Sequence, residues 1–386
     1  MKRSTDRILT THVGSLPRPD DLFALMLLKM DGKPFDEQAY AIRLQGAVKD
    51  IVRWQVELGI DVVNDGEMGK PSFITYVGER LSGLEKREGE RPSPFARSRE
   101  SISFPEFYQS ELAAQASASR RRARTVCASP MRYKGQQQLK TELANLKAAL
   151  EGAGAAEAFV PSIAPSNVEV TQPNEYYPSE EAYLLAVADA MREEYKAIID
   201  AGFLLQIDDP FLVSYYIMRP DLDVAGCRKW AEARVEALNH ALAGIPEDRI
   251  RFHTCYSINM GPRIHDMELK DVIDIILKVR AGAYSFEAAN PRHEHEWKVW
   301  KDAKLPDDKI LIPGVITQST VLVEHPELVA ERLIRFANVV GRERVIAGAD
   351  CGFASFAGSN EVHPSITWAK FRALAEGAQL ASRKLW

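Results

Sequence analysis

Four cysteines in 386 residues (Cys127, Cys227, Cys255 and Cys351) are too few to staple a fold of this size, which excludes a disulfide scaffold. No apolar run approaches the length of about 18 residues that a spanning helix needs, so no membrane-embedded segment is expected. The opening stretch, MKRSTDRILTTHVGSLPRP, lacks the apolar core of a secretion signal, and the expectation is a cytoplasmic protein. Charge of one sign is not in excess. A formal net charge of −5 argues against a dedicated nucleic-acid binder. Also missing is any Gly-rich loop of the Rossmann or P-loop kind after a β-rich run, so no nucleotide-phosphate cradle is expected. What is present is a globular balance, 46% hydrophobic and 27% charged, able to bury a large core without covalent help.

Eight short β-rich runs alternate with long amphipathic segments. The runs cover residues 8–15, 60–67, 157–166, 203–210, 249–257, 283–290, 310–317 and 344–352. Each is rich in Val, Ile, Leu, Phe or Ala and ends in small or polar residues, the pattern of a strand buried on both faces. Between them lie helical patterns such as Ser179–Ala201 and Cys227–Ala243, the first opening on an acidic turn and stopping at Gly202. This alternation predicts an α/β fold, a (β/α)8 barrel, as one domain over residues 1–386. The polar residues gather at the C-terminal ends of different runs: Ser15, Glu67, Asp208, His253, Cys255, Glu287 and Cys351. Barrel active sites are built there. Residues 86–124, charged and rich in Pro and Ser, break the pattern and read as an insertion after the second strand, followed by TVCASPMRY as an extra strand. Its cluster Arg120, Arg121, Arg122 and Arg124 reads as a solvated loop or as a contact for an anionic partner.

The sharpest local signal is His253-Thr254-Cys255. Residues i and i+2 of a strand share a face, so the imidazole and the thiol stand side by side, as two ligands of one zinc ion would. Glu287 ends the next strand and Cys351 the last, and four donors of type N, S, O and S suit a tetrahedral site. The alternatives are a salt bridge from Glu287 to a nearby arginine such as Arg292, and Cys351 as a small filler. Glu67 and Asp208 are placed to receive a substrate ammonium or to act in acid/base chemistry; the alternative is helix capping, a role better suited to Asp209. At the first strand end Val13, Gly14 and Ser15 offer backbone N–H groups and a hydroxyl to an anion. His293-Glu294-His295-Glu296 lacks the spacing of a helical metal site and reads as polar lining or a lid. Cys127 and Cys227 read as structural.

Taken in order, Thr11-His12-Val13-Gly14-Ser15, Asp65-Gly66-Glu67, Gln206 to Pro210, His253 to Cys255, Glu287 in SFEAAN, Pro313-Gly314-Val315 and Asp350-Cys351-Gly352 resemble the catalytic domain of cobalamin-independent methionine synthase. The shorter single-barrel proteins related to it, which include epoxyalkane:coenzyme M transferases, share the pattern. The resemblance runs from Thr10 to Ser355 and implies a (β/α)8 barrel. It also implies catalytic Zn²⁺ on His253, Cys255, Glu287 and Cys351, with Glu287 as the exchangeable ligand. Homocysteine would be held by Val13, Gly14 and Ser15 at its carboxylate and by Glu67 and Asp208 at its ammonium. The implied activity is zinc-dependent transfer of a methyl group to homocysteine, forming methionine; the alternative is alkylation of another thiol. The partners are then a small-molecule thiol and a donor, whether folate, methylcorrinoid or epoxide, with neither nucleic acid nor membrane; a homo-oligomer is compatible. Three departures stand out. Full-length synthases carry a second, N-terminal barrel; their seventh strand supplies a histidine to protonate the folate nitrogen, near whose position this chain has Ser319; and the 86–124 insertion is unlike the parent domain.

Overall fold

Strands buried on both faces need neighbours on both edges, and a closed parallel sheet provides them. The computed structural model describes residues 1–90, 95–110, 123–256, 259–358 and 361–386. Its strands are β1 (Leu9–Thr10), β2 (Val62–Val63), β3 (Leu84–Glu90), β4 (Ala123–Cys127), β5 (Glu157–Ile163), β6 (Leu204–Asp208), β7 (Ile250–Thr254), β8 (Ala283–Phe286), β9 (Ile310–Ile316) and β10 (Ile346–Ala349). Eight of them pair in parallel in the order β1-β10-β9-β8-β7-β6-β5-β2, and a bridge between Thr11 and Val62 joins the two end strands. The result is the (β/α)8 barrel expected from the alternation, one strand for each of the eight runs.

Helices pack around the strands. Those at Glu37–Glu57, Glu180–Asp200 and Val224–Ala241 start on capping residues (Asp36, Ser179 and Asp223) whose side chains accept first-turn N–H groups. Along each strand the faces alternate. Odd positions of β6 and even positions of β7 (Leu205, Ile207, Ile250, Phe252) join the layer between strands and helices. The interior floor holds two apolar clusters, one of Leu9, Ala283, Ile310, Ile312 and Ile346, the other of Val62, Phe159 and Leu204. Above it the interior turns polar: the buried Arg251 guanidinium lies 3.9 Å from the Phe159 ring centroid and donates to Thr11 Oγ1 (3.0 Å) and His12 O (2.7 Å). This polarity gradient delivers the functional groups to the C-terminal mouth. Among the described residues no helix is long and apolar enough to cross a membrane.

The insertion does follow the second barrel strand, but it does not begin as irregular chain. β3 and β4 pair antiparallel, Leu84 with Cys127 and Arg87 with Arg124. The charged LEKREGE gave no apolar signal because a two-stranded ribbon can leave a face in water, where charge is tolerated. Short helices at Arg99–Ser103 and Pro105–Gln109 follow. Arg120, Arg121 and Arg122 lie outside the described residues, as does the side chain of Arg124.

One buried network braces this side of the barrel. Arg80, 1% exposed, pairs with Glu194 at 3.1 Å and with Glu142 at 2.6 Å. Glu194 also accepts from Tyr76 (2.9 Å), Tyr133 (2.8 Å) and Ser162 (2.8 Å). Removing the cation leaves a buried carboxylate without its counter-charge. Arg80→Met should therefore destabilise the protein by about 3–5 kcal/mol, whereas Arg43→Met, at an exposed pair with Asp21, should cost less than about 1 kcal/mol. Denaturant titration checks both; equal effects would refute the ranking.

Candidate active site

Register aligns the first elements of the site. Asp208 of β6 pairs across with His253 of β7, and His253 with Ser285 of β8, so three polar side chains form one row across adjacent strands. Ser285 Oγ shares a 3.0 Å hydrogen bond with His253 Nδ1. Burial pushes His253 down to about 3, so the ring is neutral. Its Nε2 is buried without a hydrogen-bond partner among the described residues. Two residues on, Cys255 presents Sγ 3.3 Å from Cys351 Sγ, and none of the four cysteines is in a disulfide. Ligand atoms of His253, Cys255 and Cys351 lie within 4.8 Å of one another.

This trio fits zinc on its chemistry. One imidazole nitrogen and two sulfurs are a preferred mixed donor set, and two thiolates on one tetrahedral zinc stand about 3.8 Å apart. A buried, unpaired imidazole nitrogen is costly, and a metal would relieve that cost.

Glu287 stands apart from the trio. Its Oε1 accepts from Tyr256 N (2.7 Å), and its Oε2 from Arg263 Nη1 (2.7 Å) and Asn290 Nδ2 (2.5 Å). The ion pair weighed from the sequence is thus present, with Arg263 and not Arg292 as the cation. Asp350, just before Cys351, accepts from Ala288 N (2.8 Å) and Ala289 N (2.9 Å), which ties the end of β10 to the loop carrying Glu287. Burial pushes Asp350 up to about 6, assisted by the charge of Glu287.

The trio opens into a small pocket whose lining includes Val13, Ser15, Glu67, Phe73, Asp208 and Ser355. Gly14 has φ +150°, and a Cβ there would sit 2.9 Å from Pro161 Cγ; no side chain fits without moving Pro161. Glu67 adopts φ +56°, rare for a residue with a side chain and a conformation found at functional sites. Asp65 Oδ1 accepts from Glu67 N at 2.9 Å and helps hold that turn. Asp208 Oδ1 accepts from Gln206 Nε2 (2.8 Å), which also donates to Val13 O. Burial, then the charge of Glu67, pushes Asp208 well above the usual carboxylate range. Asp209 faces elsewhere, accepting from Ser166 (2.8 Å), Asn167 (2.9 Å) and Leu212 N (3.1 Å).

Several contributors went unseen in the sequence. Lys70 Nζ is 3.7 Å from Glu67 Oε1 and donates to Pro161 O at 2.6 Å. Arg18 donates to Ala354 O (2.9 Å), Glu67 O (2.9 Å) and Lys70 O (2.8 Å), so one guanidinium fastens the loops after β1, β2 and β10. Its place between Pro17 and Pro19, which lack N–H groups, was the one signal available. Ser319 Oγ, 2.8 Å from Thr317 Oγ1, sits on the loop after β9.

Comparison with known proteins follows the same lines. Residues 8–93 and 160–373 match the model of the cobalamin-independent synthase catalytic domain. The chain belongs to this family. The methionine synthase of Thermococcus kodakarensis is 24% identical over 380 residues, 97% of this chain and 94% of that one. That of Sulfurisphaera tokodaii is 24% identical over 348 residues, 89% and 85% of the two chains. A B12-independent methionine synthase from a Shewanella species, solved in complex with selenomethionine, superposes with a TM-score of 0.72 at 18% identity, covering 98% of this chain and 99% of that one. At that identity the likeness is one of fold.

His293 does not line the cavity, contrary to the sequence reading, and His295 is exposed. The His293 ring is stacked 4.1 Å from that of Tyr256 and bridges Glu296 Oε2 (2.7 Å) and Asp266 Oδ2 (2.9 Å). Burial opposes its charge, but the bonds to Asp266 and Glu296 outweigh it and push His293 up to about 9. A raised imidazole contributes stability that is complete below its unfolded value of about 6.5 and lost as pH rises through about 9. Wild type should accordingly lose on the order of 2–3 kcal/mol between pH 7 and 10 that His293→Gln does not lose. Parallel denaturation profiles for the two proteins over that range would contradict the assignment.

Proposed function

We propose that this protein is a zinc-dependent thiol S-methyltransferase that forms methionine from homocysteine. The observation that carries the reading is a single cavity with His253, Cys255 and Cys351 at one part of its wall and the buried carboxylates Glu67 and Asp208 at another. That the relatives compared above are methionine synthases supports it. A free thiol, with a pKa of about 8.5, is mostly protonated at neutral pH; bound zinc would supply the charge that favours the nucleophilic thiolate.

The protein's own groups orient the amino acid. Val13 and Gly14 offer backbone and Ser15 a hydroxyl to its carboxylate. Glu67 and Asp208 receive its ammonium, and a cation there would favour the charged form of Asp208. Glu287 would be the exchangeable fourth ligand beside His253, Cys255 and Cys351, its anionic oxygen supplying a place that a substrate sulfur could take. The Ser285 bond to Nδ1 keeps Nε2 aimed for coordination.

A second reading, alkylation of a thiol without an amino group, has its own observations. Lys70 already offsets part of the charge of Glu67, which reduces the demand for a ligand ammonium. Ser319, with a hydroxyl of very high pKa, stands near the position where the related synthases have a histidine. A methylcorrinoid needs no such acid, and an epoxide needs its proton on oxygen, not on a folate nitrogen.

Purified protein should hold about one zinc per chain, and Cys255→Ser/Cys351→Ser should lose it; full zinc in the double variant by elemental analysis would remove the site from consideration. Asp208→Asn should weaken homocysteine binding by about 1.5–3 kcal/mol and leave a thiol acid without the amino group nearly unaffected. Calorimetry with both ligands decides. Equal losses would shift the assignment to the second reading.

A further inference from the structure

The family match stops at residue 93 and resumes at 160, so the helix Arg99–Ser103 lies in a part of the chain that the family pattern does not cover. Nevertheless this segment reaches the site. Glu100 is fully buried, and its Oε2 accepts from Arg263 N (3.0 Å) while Oε1 accepts from His265 N (2.9 Å). Ser103 Oγ meets His265 Nε2 at 2.7 Å, and Tyr108 OH donates to Asn259 Oδ1 at 2.9 Å. Arg263 is the residue that needs holding. It has φ +60°, a left-handed conformation that a long side chain rarely adopts without support. From that turn its guanidinium donates to Asn259 O (3.0 Å) and to Glu287 Oε2 (2.7 Å).

We propose that Glu100 is a positioning residue: by accepting the N–H groups of Arg263 and His265 it fixes the left-handed turn that aims the Arg263 guanidinium at Glu287, so that a segment outside the family pattern sets where that carboxylate rests. In its consequence for zinc the inference rests on the reading of His253, Cys255 and Cys351 as ligands. With a metal on the trio, Arg263 would compete with it for Glu287, and a change that loosens Arg263 would free the carboxylate for coordination. Glutamine at 100 has one acceptor oxygen for two N–H groups, so it breaks half of the clamp while keeping its size.

Amide hydrogen exchange on the metal-free full chain tests the clamp without reference to zinc. The reporter is the Tyr256 amide, which donates to Glu287 Oε1 at 2.7 Å and has no bond to Glu100. Glu100→Gln should speed its exchange by about tenfold, one charge-assisted bond's worth, and Arg263→Gln should do at least as much. The double variant should exchange no faster than Arg263→Gln alone, because both act through one guanidinium. Faster exchange confined to 263–265, with Tyr256 unchanged, would mean a merely local structural role and would overturn the proposal. The second arm is the visible spectrum of cobalt(II)-loaded protein. Glu100→Gln and Arg263→Gln should shift its bands in the same sense, toward firmer carboxylate ligation, and Glu287→Gln should abolish the shift. Wild type that takes up neither zinc nor cobalt would defeat the metal reading, and the Tyr256 arm would still decide on Glu100.

Discussion

A carboxylate withdrawn from water keeps its charge only if donors or cations reach it, and otherwise takes up a proton. Glu67, Asp208, Glu287 and Asp350 are all buried at the mouth of this barrel, so their arrangement is a matter of which counter-charge reaches which. Asp350 is met by the amides of Ala288 and Ala289. Glu287 takes the guanidinium of Arg263, and Glu67 has the ammonium of Lys70 at 3.7 Å. Oε2 of Glu67 and Nε2 of His253 are buried with no hydrogen-bond partner among the described residues. Both edge the same cavity. A mouth that neutralises most of its own charges and leaves a carboxylate on one side and an imidazole with two sulfurs on the other is suited to an ammonium and a metal cation.

Those remaining groups are the ones that sequence could announce, and for a physical reason. His253, Cys255 and Asp208 sit on strands or at their ends, where the period of two fixes which side chains share the interior face and the parallel register fixes which are neighbours. Eight apolar runs were enough to locate the strands, and their polar termini located the mouth. The counter-charges were not legible in the same way. Arg18, Lys70 and Arg263 lie on loops, and their targets are main-chain carbonyls or carboxylates brought near only by closure of the barrel. Arg292, five residues from Glu287, was the obvious cation by sequence distance, yet the left-handed turn at Arg263 puts a residue 24 positions away in contact instead. The charged β3 went unread because a ribbon with one open face needs no apolar alternation.

On the proposed reading, strand-borne and loop-borne groups divide the chemistry. The trio and Asp208 belong to the scaffold that the family pattern covers, and they would serve the thiol. Glu100 belongs to the segment that the pattern skips and Ser319 to the loop after β9; such groups would bear on ligand exchange and the donor.

The donor question can be weighed by magnitudes. A general acid within reach of a folate nitrogen typically contributes 10²–10⁴-fold, which is about 3–5 kcal/mol. His293 is protonated at neutral pH and could in principle supply that proton. To reach the cavity, however, it must leave both Asp266 and Glu296 and unstack from Tyr256. Two charge-assisted hydrogen bonds to a buried imidazolium are worth about 3–6 kcal/mol together, so the cost of releasing the acid equals or exceeds what it would contribute. Asp350 is no freer, since its carboxylate already serves the two amides that hold the Glu287 loop. On the proposed reading, with Ser319 near the place of the synthases' histidine, a donor whose leaving group departs without a proton, such as a methylcorrinoid, avoids this cost. The donor would then be set by the loops, not by the strands that carry the trio.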